Sequence, residues 1–152
     1  MALKERIADE MKAALLSGDR FVGETLRNLK AAILNEEVAT GTRDQGLSDD
    51  EIEKVVAREV KKRAESARLY RDNSRPDLAE PEEMEMGVLQ RYLPEQLSEE
   101  TIRAKVMSKA NELGVMGIAD MGRLIGSVKS ELGNTADGAV IARIVKEVLL
   151  SK

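Results

Sequence analysis

Residues 47–72 read LSDDEIEKVVAREVKKRAESARLYRD, and this stretch decides the fold class. Ser48 and Glu51 form an S-x-x-E capping box, and Leu47 can staple onto Ile52 across the first turn. Ile52, Val55, Val56, Val60, Ala64, Ala67 and Tyr70 then recur at helical spacing, so one side of a long helix is apolar. Asn73-Ser74-Arg75-Pro76 ends it. A strand would need alternation with period two, and no segment of the chain shows it convincingly.

Working outward, Leu3, Ile7, Met11 and Leu15 mark a first helix, interrupted at Ser17-Gly18-Asp19. A second helix, with Val22, Leu26, Leu29 and Ile33 inward, ends near Thr40-Gly41. After the long third helix, a turn at Pro76–Ala79 leads to a fourth helix that starts near Pro81, because proline removes a backbone donor and clashes with the preceding turn. Met84, Val88, Leu89 and Tyr92 form its inner side. YLPEQLSEE reads as a boundary, with Leu93-Pro94 stopping one helix, Ser98 capping the next and Leu97 stapling onto Ile102.

Beyond it lie three shorter helices. One runs from Glu99 to about Leu113 and stops at Gly114. One runs from Ile118 to Leu132 with Met121, Leu124, Ile125 and Val128 inward and Gly133 at its end. The last runs from Gly138 to Leu150 with Ile141, Ile144, Val145, Val148 and Leu149 inward. The expected fold is all-α: an N-terminal helical domain of about four helices over residues 1–94, then a three-helix tail bundle over 95–152.

Composition agrees with helix. Of 152 residues 34% are charged and 2% aromatic, the aromatics being Phe21, Tyr70 and Tyr92. The chain has no cysteine and no histidine, which excludes disulfides, thiolate nucleophiles, histidine-based triads and Cys/His zinc sites. No metal or cofactor is expected, and a binding or adaptor role is favoured over catalysis. No apolar run is long enough to cross a bilayer and the N-terminus mixes acids with bases, from which a cytosolic protein is expected. The net charge is −4. Residues 1–94 hold 16 bases and 20 acids, residues 95–152 hold 8 of each, so the acidity lies in the first part.

Four features could carry function. The third helix offers Arg58, Lys61, Lys62 and Arg68 as phosphate contacts, although interleaved acids also suit a solvated face of i,i+4 pairs such as Lys61–Glu65 and Arg68–Asp72. Glu80, Glu82, Glu83 and Glu85 sit at a helix start, where acids oppose the positive end of the dipole. Met84, Met86, Met107, Met116 and Met121 read as core filler or adaptable packing. Gly122 and Gly126, in DMGRLIGSVKSELGNTADG, leave a shallow face on one helix at a cost of roughly 0.8–1 kcal/mol each. They lack the preceding strand and the G-K-[ST] of a phosphate loop. Close approach remains, of a neighbouring helix or of a nucleic-acid backbone, with Arg123 and Lys129 flanking.

The order of these motifs resembles the YqeY-like family over essentially the whole chain, most specifically in YLPEQLSEE and in D-M-G-x-x-x-G…A-D-G…I-V-K-E-x-L. That family is similar to the C-terminal helical and tail region of the B subunit of the glutamine-dependent aminoacyl-tRNA amidotransferase, whose tail contacts the tRNA body by shape and backbone. The resemblance implies a tRNA contact at Gly122, Arg123, Gly126, Lys129, Asp137, Gly138 and Lys146, with Arg58, Lys61 and Lys62 of the third helix as candidates beside them. Family members often carry a basic K-G-[KR]-A-D stretch between the last two helices. Here E-L-G-N-T-A-D thins the positive charge at Glu131, Asn134 and Thr135, so RNA binding is expected to be weak. The function that follows is a non-catalytic tRNA-binding or amidotransferase-associated module. The alternatives are a protein–protein interaction module without RNA, and an accessory to a carbon–nitrogen ligase with glutamine as amide donor, the last by family analogy alone.

Overall fold

The computed structural model describes residues 2–151, and among them every regular element is helical. The chain divides into two compact units, Met1–Leu93 and Pro94–Lys152.

The first unit holds α1 (Leu3–Leu16), α2 (Arg20–Thr40), α3 (Asp49–Asp72) and α4 (Pro76–Gln90). Capping sets most of the boundaries. Asp19 accepts a hydrogen bond from the Val22 N–H to begin α2, and Gly41 ends it in the left-handed conformation, φ +69°. Ser48 and Glu51 form the reciprocal capping box of α3. Ile7, Leu26, Leu29, Ile33, Ile52, Val55, Val56, Val88, Leu89 and Tyr92 are buried in one core.

Two polar ties close this unit. Glu37, buried on α2, accepts from the Lys4 ammonium at 2.7 Å and from the Leu47 N–H at 3.1 Å, fastening α1 and the α2–α3 loop to one carboxylate. The Lys4 hydrogen bond holds the Glu37 pKa below the ordinary 4.5 despite opposing desolvation, and the Leu47 N–H adds to the effect. Further along α1, the Tyr92 hydroxyl donates to Glu10 at mid-helix while Arg6 lies over the Tyr92 ring, 4.9 Å from its centre.

α4 corrects two expectations. It begins at Pro76 and runs straight through Pro81, with no separate turn before it. Pro76 occupies the first helical position, where its fixed φ suits a helix and no donor is needed. Pro81 forfeits one backbone bond, a cost of about 3 kcal/mol in a helix interior. Burial of Ala79, Val88 and Leu89 and the Arg63–Glu85 and Arg71–Glu83 pairs to α3 offset it. Met84, expected inside, is exposed. It lies one turn before Val88 on the same side of α4, and that side joins the core only at the C-terminal end of the helix.

The second unit holds α5 (Glu99–Leu113), α6 (Met121–Leu132) and α7 (Gly138–Leu150). Ser98 caps α5 through the Thr101 N–H, and Gly114 ends it at φ +66°. The helix expected from Ile118 is instead a 3-10 turn, Ile118–Asp120, leading into α6. A second 3-10 turn, Gly133–Thr135, follows α6, and the Asp137 side chain accepts from the Ala139 N–H to start α7. Ile102, Val106, Leu124, Val128, Ile141, Ile144, Val145, Val148 and Leu149 fill the core, every inward position expected on α7 being buried. The Leu97 N–H donates to the Thr135 carbonyl at 2.8 Å, binding the start of this unit to the α6–α7 connection.

Candidate functional site

The tail's distinctive surface is the outer side of α6. Leu124, Val128 and Leu132 bury the inner side, so at 3.6 residues per turn Gly122, Gly126 and Ser130 share the opposite one, all exposed. A Cβ added at Gly122 or at Gly126 would meet no atom within 4 Å. Close packing of α5 or α7, the other helices of this unit, is therefore not what these glycines serve. The close approach in this protein is elsewhere, at Gly23. There a Cβ would lie 2.4 Å from Leu15 Cδ2 and 2.8 Å from its Cγ, where α1 crosses α2.

The cations flanking the glycine face have different fates. Arg123 is exposed and donates one guanidinium hydrogen bond to the Leu113 carbonyl at 3.1 Å, covering one of the carbonyls left open at the end of α5. Its remaining donors stay outward. Lys129 turns its ammonium onto the carbonyls of Gly133 (2.7 Å) and Ala136 (2.9 Å), so its charge closes the end of α6. Asp137 is the N-cap of α7, and Gly138, beside it, has open space where a Cβ would be. Lys146 is exposed on α7 and makes no ion pair among the described residues.

The third-helix candidates belong to the first unit, and their charges are engaged. Arg58 pairs with Glu36 at 3.0 Å and Lys62 with Glu59 at 3.1 Å. Arg68 pairs with both Glu65 and Asp72. Lys61 is exposed but also has a partner. A solvated face of ion pairs describes this side of α3 better than a bare basic stripe.

Sequence reading missed the apolar residues that lead into the glycine face. Met116 and Ile118 are 83% and 49% exposed, and Met107 on α5 is exposed as well. The five methionines read from sequence as core filler or adaptable packing, and of them only Met86 and Met121 are even half-buried. A usable signal exists in Gly114-Val115-Met116-Gly117, where glycines bracket the segment and prevent Met116 from lying on a helix face. Among the described residues no group of three or more His, Cys, Asp or Glu side chains could hold a metal ion.

Comparison with known proteins gives the following. Several curated relatives, among them the following three, carry the name "Altered inheritance of mitochondria protein 41, mitochondrial". The one from Clavispora lusitaniae is 30% identical over 115 residues, which is 74% of this chain and 65% of that protein. The one from Pyrenophora tritici-repentis is 27% identical over 97% of this chain and 81% of its own length. The one from Eremothecium gossypii is 32% identical over 57% of this chain and 46% of its own. These names overturn the expectation of a cytosolic protein. That expectation rested on a missing apolar span and on mixed charge at the N-terminus, neither of which distinguishes one aqueous compartment from another. The family model for Yqey-like protein matches residues 4–149, all but the ends of the sequence. The chain belongs to the YqeY-like family.

Proposed function

We propose that this chain is a non-catalytic helical module that binds tRNA through the outer face of α6, as an accessory to tRNA-dependent amide transfer. One observation carries the reading: at Gly122 and Gly126 an added Cβ would meet no atom of the second unit's described residues within 4 Å, so the helix face there is bare. Two glycines in a helix lower its stability, and a face left open at that cost suits a backbone that must come close. Arg123 and Lys146 are exposed cations that make no ion pair among the described residues, and the tail has no excess of positive charge. Binding would then be read through shape with few phosphate contacts. Two such contacts give a salt dependence with a slope of about −1.5 in log K against log salt.

The test is a tRNA titration of the full chain at low salt, repeated with Gly126→Glu and Arg123→Glu. Binding that weakens about tenfold in each variant is the expected result. Absence of binding, or affinity unchanged by both substitutions, would sink the proposal.

A second reading has its own support. Met116 and Ile118 stand exposed next to the glycine face, and apolar side chains there suit a docked protein better than a phosphate backbone. Pull-down with and without ribonuclease separates the two, because a partner bridged by RNA is lost on digestion and a directly docked one is retained. For amide transfer itself, assays with glutamine and misacylated tRNA should give no turnover from this chain alone. Robust turnover would refute the non-catalytic reading.

A further inference from the structure

α2 carries two apolar stripes. The inner one, with Leu26, Leu29 and Ile33, belongs to the core of the first unit. The outer one, Ala31, Leu34 and Val38, repeats at i, i+3 and i+7 and faces solvent, with Leu34 42% and Val38 60% exposed. Ala31 separates two hollows. One, of about 260 Å³, runs toward α1 and is lined by Lys4, Lys30, Ile33, Leu34 and Glu37. The other, of about 440 Å³, opens between α2 and α3, with Asn28, Asn35 and the Arg58–Glu36 and Lys62–Glu59 pairs on its walls.

Charge around this ridge is layered. Lys4 is 47% exposed while its partner Glu37 is 2% exposed, and Lys62 is 66% exposed while its partner Glu59 is 12%. Arg58 at 50% over Glu36 at 32% repeats the pattern. Each pair is neutral in sum but turns its positive end outward. Lys30 is exposed beside the ridge and makes no ion pair among the described residues. An apolar ridge with concave flanks and a positive rim results.

We propose that the outer face of α2 docks an acidic amphipathic helix of a partner protein. Its apolar side chains seat on Leu34 and Val38 and enter the hollows, while its carboxylates meet Lys4, Lys30, Arg58 and Lys62. The positive rim selects an acidic partner. Hollows on both sides of the ridge suit protruding side chains, which a bilayer surface does not offer. Leu34 and Val38 gain nothing from a nucleic-acid backbone. This surface lies wholly within the first unit and stands whichever molecule the tail binds.

The test titrates the full chain with a fluorescein-labelled synthetic helix bearing leucine at i, i+3 and i+7 and glutamate elsewhere, read by anisotropy. The same helix with lysine for glutamate, phosphatidylserine–phosphatidylcholine vesicles and tRNA run in parallel. The acidic helix should bind and shift the backbone amides of Lys30 to Ala39. Val38→Asp should weaken it about tenfold to a hundredfold, through loss of one buried apolar anchor. Lys30→Glu should weaken it as well and strengthen the lysine helix. Both side chains are exposed, so unchanged melting temperatures show that the variants fold; should Val38→Asp unfold, Lys30→Glu decides. Failure of the acidic helix to bind, or binding indifferent to these substitutions, overturns the proposal. So does vesicle or tRNA binding that Val38→Asp abolishes in its place.

Discussion

Replacing Gly126 by alanine should make this protein more stable and its tail less able to bind. Gly126 is the sixth of the twelve residues of α6, so its backbone lies in the helix interior. Glycine there costs about 0.8–1 kcal/mol relative to alanine, mainly through the extra freedom of the unfolded chain. The added methyl group would meet nothing within 4 Å, so no steric penalty subtracts from that gain. For a unit of this size about 1 kcal/mol corresponds to roughly 4–8 °C in melting temperature. Gly122, in the first turn of α6, should add less. Urea denaturation and thermal melting by circular dichroism measure the effect, and the tRNA titration measures its functional cost. Gly23→Ala is the control of opposite sign. Its methyl would fall 2.4 Å from Leu15 Cδ2 and 2.8 Å from its Cγ, so the Leu15 side chain must move at a cost of about 1–3 kcal/mol. Set against the helix gain of about 1 kcal/mol, this leaves a net loss of up to about 2 kcal/mol. A Gly126→Ala variant that melts lower, or a Gly23→Ala variant that melts higher, would refute the assignment of one glycine to open surface and the other to packing.

The remaining predictions concern single polar groups and one proline. Lys129→Met should destabilise the protein by about 1–2 kcal/mol by uncovering the Gly133 and Ala136 carbonyls, yet leave tRNA affinity near that of the parent; a large loss of affinity without loss of stability would make Lys129 a direct contact. Glu37 has its pKa depressed by Lys4, so its contribution is present above the ordinary 4.5 and is lost as pH falls through the lower folded value. Glu37→Gln should therefore flatten the fall of stability below 4.5, and denaturation curves as steep in pH as the parent's would contradict this. Pro81→Ala should stabilise by up to about 3 kcal/mol by restoring one helical hydrogen bond, and a variant that melts at or below the parent's temperature would contradict this.

Local chemistry made much of this fold legible. The Ser48–Glu51 box, the Ser98 cap and the stops at Gly41 and Gly114 depend on groups within a few residues of each other, and each has the expected partners or backbone. The inner stripe of α7 could be read because a helix packed on one side repeats its apolar residues every three or four positions. α4 was misread because local rules penalise Pro81, whereas burial and ion pairs contributed from α3 are distant in sequence. The candidate site was legible only in part. Gly122 and Gly126 stood out from their spacing, but whether anything lies over them depends on the placement of whole helices.

The sequence by itself determined that the chain is helical, where most helices begin and end, and which side of most of them faces inward. It also determined what chemistry is absent, since no cysteine or histidine is present to supply it. Tertiary structure alone decided that Gly23 is the close approach and Gly126 the open face, that Lys129 closes a helix end while Arg123 keeps donors outward, and that α2 presents a second apolar stripe between two hollows. The physical reason is one of range. A cap or a periodicity is settled by neighbours along the chain, whereas exposure, steric room and the partner of a charge are settled by whichever distant segment the folded core brings alongside.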